Sequence, residues 1–339
     1  MYMRRYIIIL FTLLLLGCKG NTGRGLAGFR IEKEVSIHKV GEPLVSGVPV
    51  DLCVEGNYLF VLAYTPDKWL HIYDRNTGQK ILDAINVGRG PGEAVNIVSM
   101  DYCRDEHTLY LYDAALRKTL VIVLDGESAN ASFIQEVQHP MEGVIRNCHV
   151  LSGHRFFYEG YLPEYGKETR FTLSNGEIVL DAYSDYPGIN NEDDEIAFIL
   201  GVSKADYSSG RFVSGTTFGA VLECFDVSGT EIKPIATRIL DLPEMDLSGR
   251  AIKMKEGKKY GFSTICLTKD LIYTCYLDNR DPTVFKTIAS FDWRGREHTL
   301  YKMDQNILRL CPGDNRDGIF YGISSSSEME FSLVWFVLD

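Results

Sequence analysis

The feature that most constrains this chain is a unit of short strands that occurs six times. Its clearest copy runs Asn57-Tyr58-Leu59-Phe60-Val61-Leu62, a loop, Trp69-Leu70-His71-Ile72-Tyr73-Asp74, the turn Arg75-Asn76-Thr77-Gly78, then Lys80-Ile81-Leu82. Short runs rich in β-branched and aromatic residues predict strands, and Asn and Gly supply the positive-φ positions of a tight hairpin. The unit recurs at residues 108–112 and 119–124, 155–159 and 169–173, 211–214 and 221–226, 271–276 and 284–292, and 318–323 and 330–338. All but the last pair end in a Gly-bearing turn, such as Ser174-Asn175-Gly176-Glu177. A repeat of roughly 45 to 65 residues predicts a propeller or a solenoid.

An upstream strand completes each unit, and cysteines mark its register. Cys53, Cys103, Cys148, Cys266 and Cys311 each lie shortly before the unit's next strand, and the fourth unit has Ile199-Leu200-Gly201-Val202 there. Four strands per unit predict an all-β, six-bladed β-propeller with four-stranded blades. The sixth unit stops after three strands. Residues 30–38 alternate in polarity, and an N-terminal strand there would close the last blade beside 330–338, protecting its edge. A parallel β-helix usually has shorter repeats and fewer hairpins, and two packed sandwiches would not repeat so evenly. The blade register predicts that the five cysteines stay free thiols, because equivalent residues on neighbouring sheets sit beyond disulfide reach. Cys275 beside Cys266 is the exception to watch.

The N-terminus predicts export. Arg4 and Arg5 precede the uncharged run Ile7 to Leu16, too short to span a bilayer, which needs roughly twenty residues. Leu15-Leu16-Gly17-Cys18 is similar to the lipobox of bacterial lipoproteins, which implies cleavage after residue 17 and lipid attachment at Cys18. The expected organisation is a signal peptide over 1–17, a lipidated tether over 18–27 and a propeller over 28–339. No Asp follows Cys18, which favours the periplasmic face of the outer membrane. Loss of Arg4 and Arg5 takes the formal net charge from −11 to −13. An acidic chain with no basic stripe argues against nucleic acid as a partner. A monomer is expected.

Gly88-Arg89-Gly90-Pro91-Gly92-Glu93 is the most specific internal motif. With the lipobox and the six repeats, it resembles the TolB-like six-bladed propeller lipoproteins of Bacteroidota, a similarity covering about residues 28–339. The family's usual aromatic after the Glu is here Ala94. The resemblance, and that to NHL-type propellers, implies an anchored scaffold that binds proteins or glycans.

No catalytic set emerges from the residues. Pro91 and the absence of a following Gly-Lys-Ser/Thr exclude a nucleotide loop and leave a structural turn between blades. Glu192-Asp193-Asp194-Glu195 lacks calcium-loop spacing, and a strand is expected from Ile196. The seven histidines form no zinc motif. No metal and no cofactor are expected. The loops expected on one face combine Trp69, Arg89, Glu93, Arg117, Tyr161, Tyr165, Tyr186 and Arg280, aromatics with charge as in binding surfaces. The reading is a non-enzymatic envelope lipoprotein binding a protein or glycan on that face. The alternative is a lactonase-like hydrolase or lyase with a channel metal, to which the inner strands would offer Asp51, Asp101 and Asn147.

Overall fold

The computed structural model describes residues 28–139, 143–161, 169–189, 191–248, 252–313 and 318–339. Six antiparallel sheets are arranged as the blades of a propeller. Blade one comprises Val48–Glu55, Tyr58–Tyr64, Lys68–Asp74 and Lys80–Asn86, from the channel outward. Blade two follows with Ile97–Cys103, Thr108–Asp113, Lys118–Asp125 and Asn130–Gln138. Blade three has Val144–Leu151, Arg155–Tyr161, Phe171–Ser174 and Val179–Tyr183. Blade four has Val202–Asp206, Arg211–Gly215, Ala220–Asp226 and Lys233–Asp241. Blade five has Tyr260–Leu267, Leu271–Asn279, Thr287–Asp292 and Glu297–Met303. Blade six has Asn306–Pro312, Ile319–Ser325 and Phe331–Val337. Each innermost strand approaches those of both neighbouring blades, and the sixth approaches the first, so the ring is closed.

The core is six separate packings, one at each blade interface. This explains why the middle strands are apolar without a break. In Tyr58–Tyr64 successive side chains point to opposite sheet faces. Phe60 and Leu62 pack toward blade two, while Leu59, Val61 and Ala63 pack toward blade six. Both faces are dry, so polar alternation is lost. The outer strand Lys80–Asn86 has no fully buried side chain. Burying a large apolar side chain contributes about 1.5–3 kcal/mol, so stability is spread evenly around the ring. All seven cysteines of the described chain are buried free thiols. Cys53, Cys103, Cys148, Cys266 and Cys311 lie on five inner strands, and Cys275 does not pair with Cys266.

An N-terminal strand does close the last blade, but it is not the expected segment. His38–Leu44 pairs antiparallel with Phe331–Val337, with His38 opposite Trp335. Most of the expected strand goes elsewhere. Ile31–Val35 adds to blade five, parallel to Glu297–Met303, with Ile31 opposite Thr299. The chain thus straps two adjacent blades. It is pinned between them by the Ile37 amide donating to Asp304 Oδ1 at 3.2 Å, and at its start by Lys33 Nζ on Asp339 Oδ1 at 2.9 Å. Both segments alternate, and a parallel pairing carries no turn signal that sequence could reveal.

A second correction concerns the acidic run. Asn191 caps a single 3-10 turn, Glu192–Asp194, and Glu195–Ile199 continues as a short helix where a strand was expected. Asp194 is buried and accepts the Met245 amide at 2.6 Å, which ties this connection to the next one. The inner strand of blade four therefore begins only at Val202. Among the described residues no helix is long and apolar enough to cross a membrane.

Candidate functional site in the central channel

The inner strands share an irregularity that shapes the channel. Their pairing with the next strand slips between Pro49 and Asp51, Ile97 and Ser99, Ile145 and Asn147, Phe262 and Thr264, and Ile307 and Arg309. Only blade four keeps an unbroken register. A bulge inserts one residue and re-aims the side chains beside it. Here consecutive residues face the channel, which a regular strand would forbid: Val50 with Asp51, Val98 with Ser99, Arg146 with Asn147, Ser263 with Thr264. They enclose a cavity of about 330 Å³ with contributions from all six blades. It lies toward the beginnings of the inner strands, so it opens at the end of the channel where the blade-to-blade connections lie.

The wall of this cavity is polar and its charges are ordered. Arg146, His149, Lys204 and Arg309 line it, with Asp51 as the single carboxylate. Lys204 Nζ meets Asp51 Oδ2 at 2.5 Å and the Met100 carbonyl at 2.6 Å. His149 Nδ1 lies 2.9 Å from Asp101 Oδ1, and its Nε2 lies 3.0 Å from both Glu159 Oε1 and Ser203 Oγ. Arg146 Nη2 donates to Glu159 Oε2 at 2.6 Å and Nη1 to the Gly201 carbonyl at 2.9 Å. Asn147 Nδ2 donates to Glu159 Oε1 at 3.1 Å, and Ser203 also donates to that oxygen.

The titration of these groups follows from their neighbours. Burial opposes a charge on His149, but Asp101 and Glu159 outweigh it and raise its pKa above the usual histidine range. Burial alone would raise Glu159, but Arg146 and His149 hold it well below the usual carboxylate range. Lys204 is desolvated yet raised, by Asp51 and then Asp101. Arg309 differs. Burial lowers its pKa, and the attraction of Asp51 does not restore it. Its guanidinium donates to the Val50 and Leu308 carbonyls, and among the described residues no carboxylate comes within 4.0 Å. The cavity therefore presents cations, with two carboxylates, Asp101 and Glu159, set behind them.

The residues read from sequence as a binding face fall elsewhere. Trp69 is 3% exposed, donates its indole N–H to the Ala94 carbonyl at 3.0 Å, and belongs to the core between blades one and two rather than to a rim. Glu93 folds back to accept the Gly90 amide at 2.8 Å. A Cβ at Gly88 would collide with that carboxylate, so the glycine turn is built around it. Arg89 and Arg280 are exposed, and exposed Arg117 donates to the Gly143 carbonyl at 2.7 Å. Tyr186 is half-buried, edge-on to Phe198 at 5.6 Å. Tyr161 ends the second strand of blade three. Tyr165 and Cys18 lie outside the described residues. None of Trp69, Arg89, Glu93, Arg117, Tyr186 and Arg280 lines the cavity.

Asp51, Asp101 and Asn147 do gather at the channel, but each is engaged: Asp51 by Lys204, Asp101 by His149 and the Val150 amide, Asn147 by Glu159. Among the described residues no three His, Cys, Asp or Glu side chains are placed to hold a metal ion. Sequence reasoning missed Arg146, His149, Glu159, Lys204 and Arg309. A signal for part of the set was present. The position two before each inner-strand cysteine holds Asp51, Asp101, Arg146, Thr264 or Arg309, polar where a strand dry on both faces should be apolar.

Comparison with known proteins supports the architecture. The family model described as TolB-like 6-blade propeller-like matches residues 32–314. The crystal structure of a protein described as exported, from Bacteroides fragilis, aligns with a TM-score of 0.51 at 17% identity, covering 91% of this chain and 99% of that one. The structure of U3-55K aligns with a TM-score of 0.52 at 12% identity, covering 93% and 100%. At such identities these likenesses concern the fold. No curated protein sequence matches this one.

Proposed function

Since the chain belongs to the family of TolB-like six-blade propellers, we propose that it is an exported envelope protein that binds a ligand at the mouth of its channel without transforming it. The observation that carries this reading is the cavity of about 330 Å³, built by bulges in five of the six inner strands. Its volume is that of a small-molecule site, which favours a glycan fragment over a protein surface. The carboxylates that a channel metal would need are already held by cations, which speaks against the hydrolase or lyase alternative. The exported likeness in Bacteroides fragilis supports export, and the lipobox supports anchoring through Cys18; in this proposal the protein sits as a monomer at the periplasmic face of the outer membrane.

The test fills the cavity. Full-length protein and a Ser99→Trp variant are isolated from the native envelope in detergent, and bound small molecules are identified by native mass spectrometry. A ligand retained by the wild type and lost from the folded variant is the expected result. Equal retention by both overturns the assignment of the site. In the same experiment Cys18→Ala should abolish labelling by radioactive palmitate, and unchanged labelling would remove the anchor.

A further inference from the structure

We propose that the channel cavity is specific for an acidic sugar, a small polyol bearing a carboxylate or phosphate, and that Arg309 is its anchor. The inference rests on the channel mouth being the binding site, and adds which chemistry it selects. The first observation is the sign of the wall. The chain carries a formal net charge of −11, yet four of the five ionisable groups lining the cavity are cations. Acidic proteins do not concentrate positive charge in a concave, partly desolvated place without cost.

The second observation is that one of these cations lacks a counter-ion. Arg146, His149 and Lys204 each have a carboxylate partner, and Arg309 has only the Val50 and Leu308 carbonyls, made through Nε and Nη1. Its Nη2 carries no bond among the described residues. A half-buried guanidinium with a free edge matches an oxyanion, which it can bind through parallel N–H donors. The bulge beside Leu308 sets this side chain against the cavity.

The third observation concerns the rest of the lining. Ser263 Oγ is buried without any hydrogen-bond partner, and Ser99, Ser203 and Thr264 share the same wall. Hydroxyls that both donate and accept suit a ligand with hydroxyls of its own. Val50, Val98 and Ile265 lie among them and suit the apolar face of a sugar ring.

The test is calorimetric titration of the purified full chain in detergent at pH 6.5 and low salt, where screening is weak. The probes are glucuronate, glucose 6-phosphate, inorganic phosphate and glucose. Glucuronate or glucose 6-phosphate should bind at least about tenfold more tightly than glucose, as expected when a charged hydrogen bond is gained. The comparison of the two decides between carboxylate and phosphate, and binding of inorganic phosphate alone would reduce the site to a bare oxyanion pocket and overturn the sugar. Arg309→Gln should weaken the anion by at least about tenfold, while Arg294→Gln, an exposed arginine on a blade-five hairpin, should not. Equal affinity for glucose and glucuronate, unchanged anion affinity in Arg309→Gln, or no anion binding at about 10 mM would overturn the inference. Those outcomes leave the broader binding reading standing, because that one fails only when a cavity-filled variant keeps the native ligand.

Discussion

Two buried histidines ten residues apart in sequence show how differently the channel wall and the blade interfaces are built. His139 is 3% exposed and sits between blades two and three, with the rings of Tyr112, Phe156 and Tyr158 edge-on at 5.1 to 5.6 Å. Its ring nitrogens meet only uncharged groups, Thr119 Oγ1 at 2.8 Å and the Cys148 thiol at 3.8 Å on Nε2, and Tyr158 OH at 2.9 Å on Nδ1. Burial without a counter-charge lowers its pKa to about 4. His149 is 1% exposed in the channel wall, where Asp101 and Glu159 raise its pKa instead. Burial is nearly equal and the pKa shifts are opposite in sign. The packing around His139 supplies no counter-charge, and where an interface does bury charge, as at Arg170 and Glu223 between blades three and four, it buries a pair. The channel wall supplies a carboxylate for three of its four cations, Arg146, His149 and Lys204.

The largest break in this comparison is expected at Glu159. Replacing it by Leu leaves Arg146 and His149 without their shared carboxylate, which should cost about 3–5 kcal/mol of stability, as breaking a buried pair does. Urea unfolding measures it, and a loss below about 1 kcal/mol would mean that the network is solvated. A smaller effect separates the histidines by pH. The folded-state pKa of His139 is lowered, so between pH 6.5 and 4 the unfolded chain binds the extra proton and stability falls as pH falls. The deficit at pH 4.5 should reach about 2–3 kcal/mol, and His139→Gln should remove it. His149 has the opposite sign. Its raised pKa stabilises fully below about pH 6.5, the unfolded value, and the contribution is lost as pH rises through the folded value, so His149→Gln should flatten the alkaline side. Unfolding midpoints at pH 4.5, 6.5 and 8.5 for the wild type and both variants would show the two slopes, and parallel profiles would erase the distinction. The smallest effect is expected from Tyr158→Phe, which removes one neutral hydrogen bond to His139 and should cost about 1 kcal/mol. A cost as large as that of Glu159→Leu would mean that the aromatic box depends on its polar bonds as much as the channel does.

Much of the fold is legible in the residues because its causes are local. Hairpin turns such as Arg75-Asn76-Thr77-Gly78, unbroken apolar middle strands and cysteines at a repeated place identify blades, and four strands per blade follow. The site was legible only in fragments. Asp51, Asp101 and Asn147 are visible as polar residues on inner strands, but what they do depends on Lys204, His149 and Glu159. Lys204 is 153 residues from Asp51, and His149 is 48 from Asp101. A loop such as Gly88 to Glu93 draws the eye through its glycines, yet its own Glu93 explains them.

The sequence by itself determined the number of blades, their strands and the dryness of the interfaces, because alternation and turn chemistry act between residues close along the chain. Only the tertiary structure decided that Ile31–Val35 pairs with blade five and His38–Leu44 with blade six, since either segment fits either edge. It alone decided the charge of the channel as well. A bulge shows itself only as a slip against a partner strand, and the counter-charges of the wall come from a neighbouring strand, as Glu159 for Arg146, or from another blade, as Asp101 for His149 and Asp51 for Lys204.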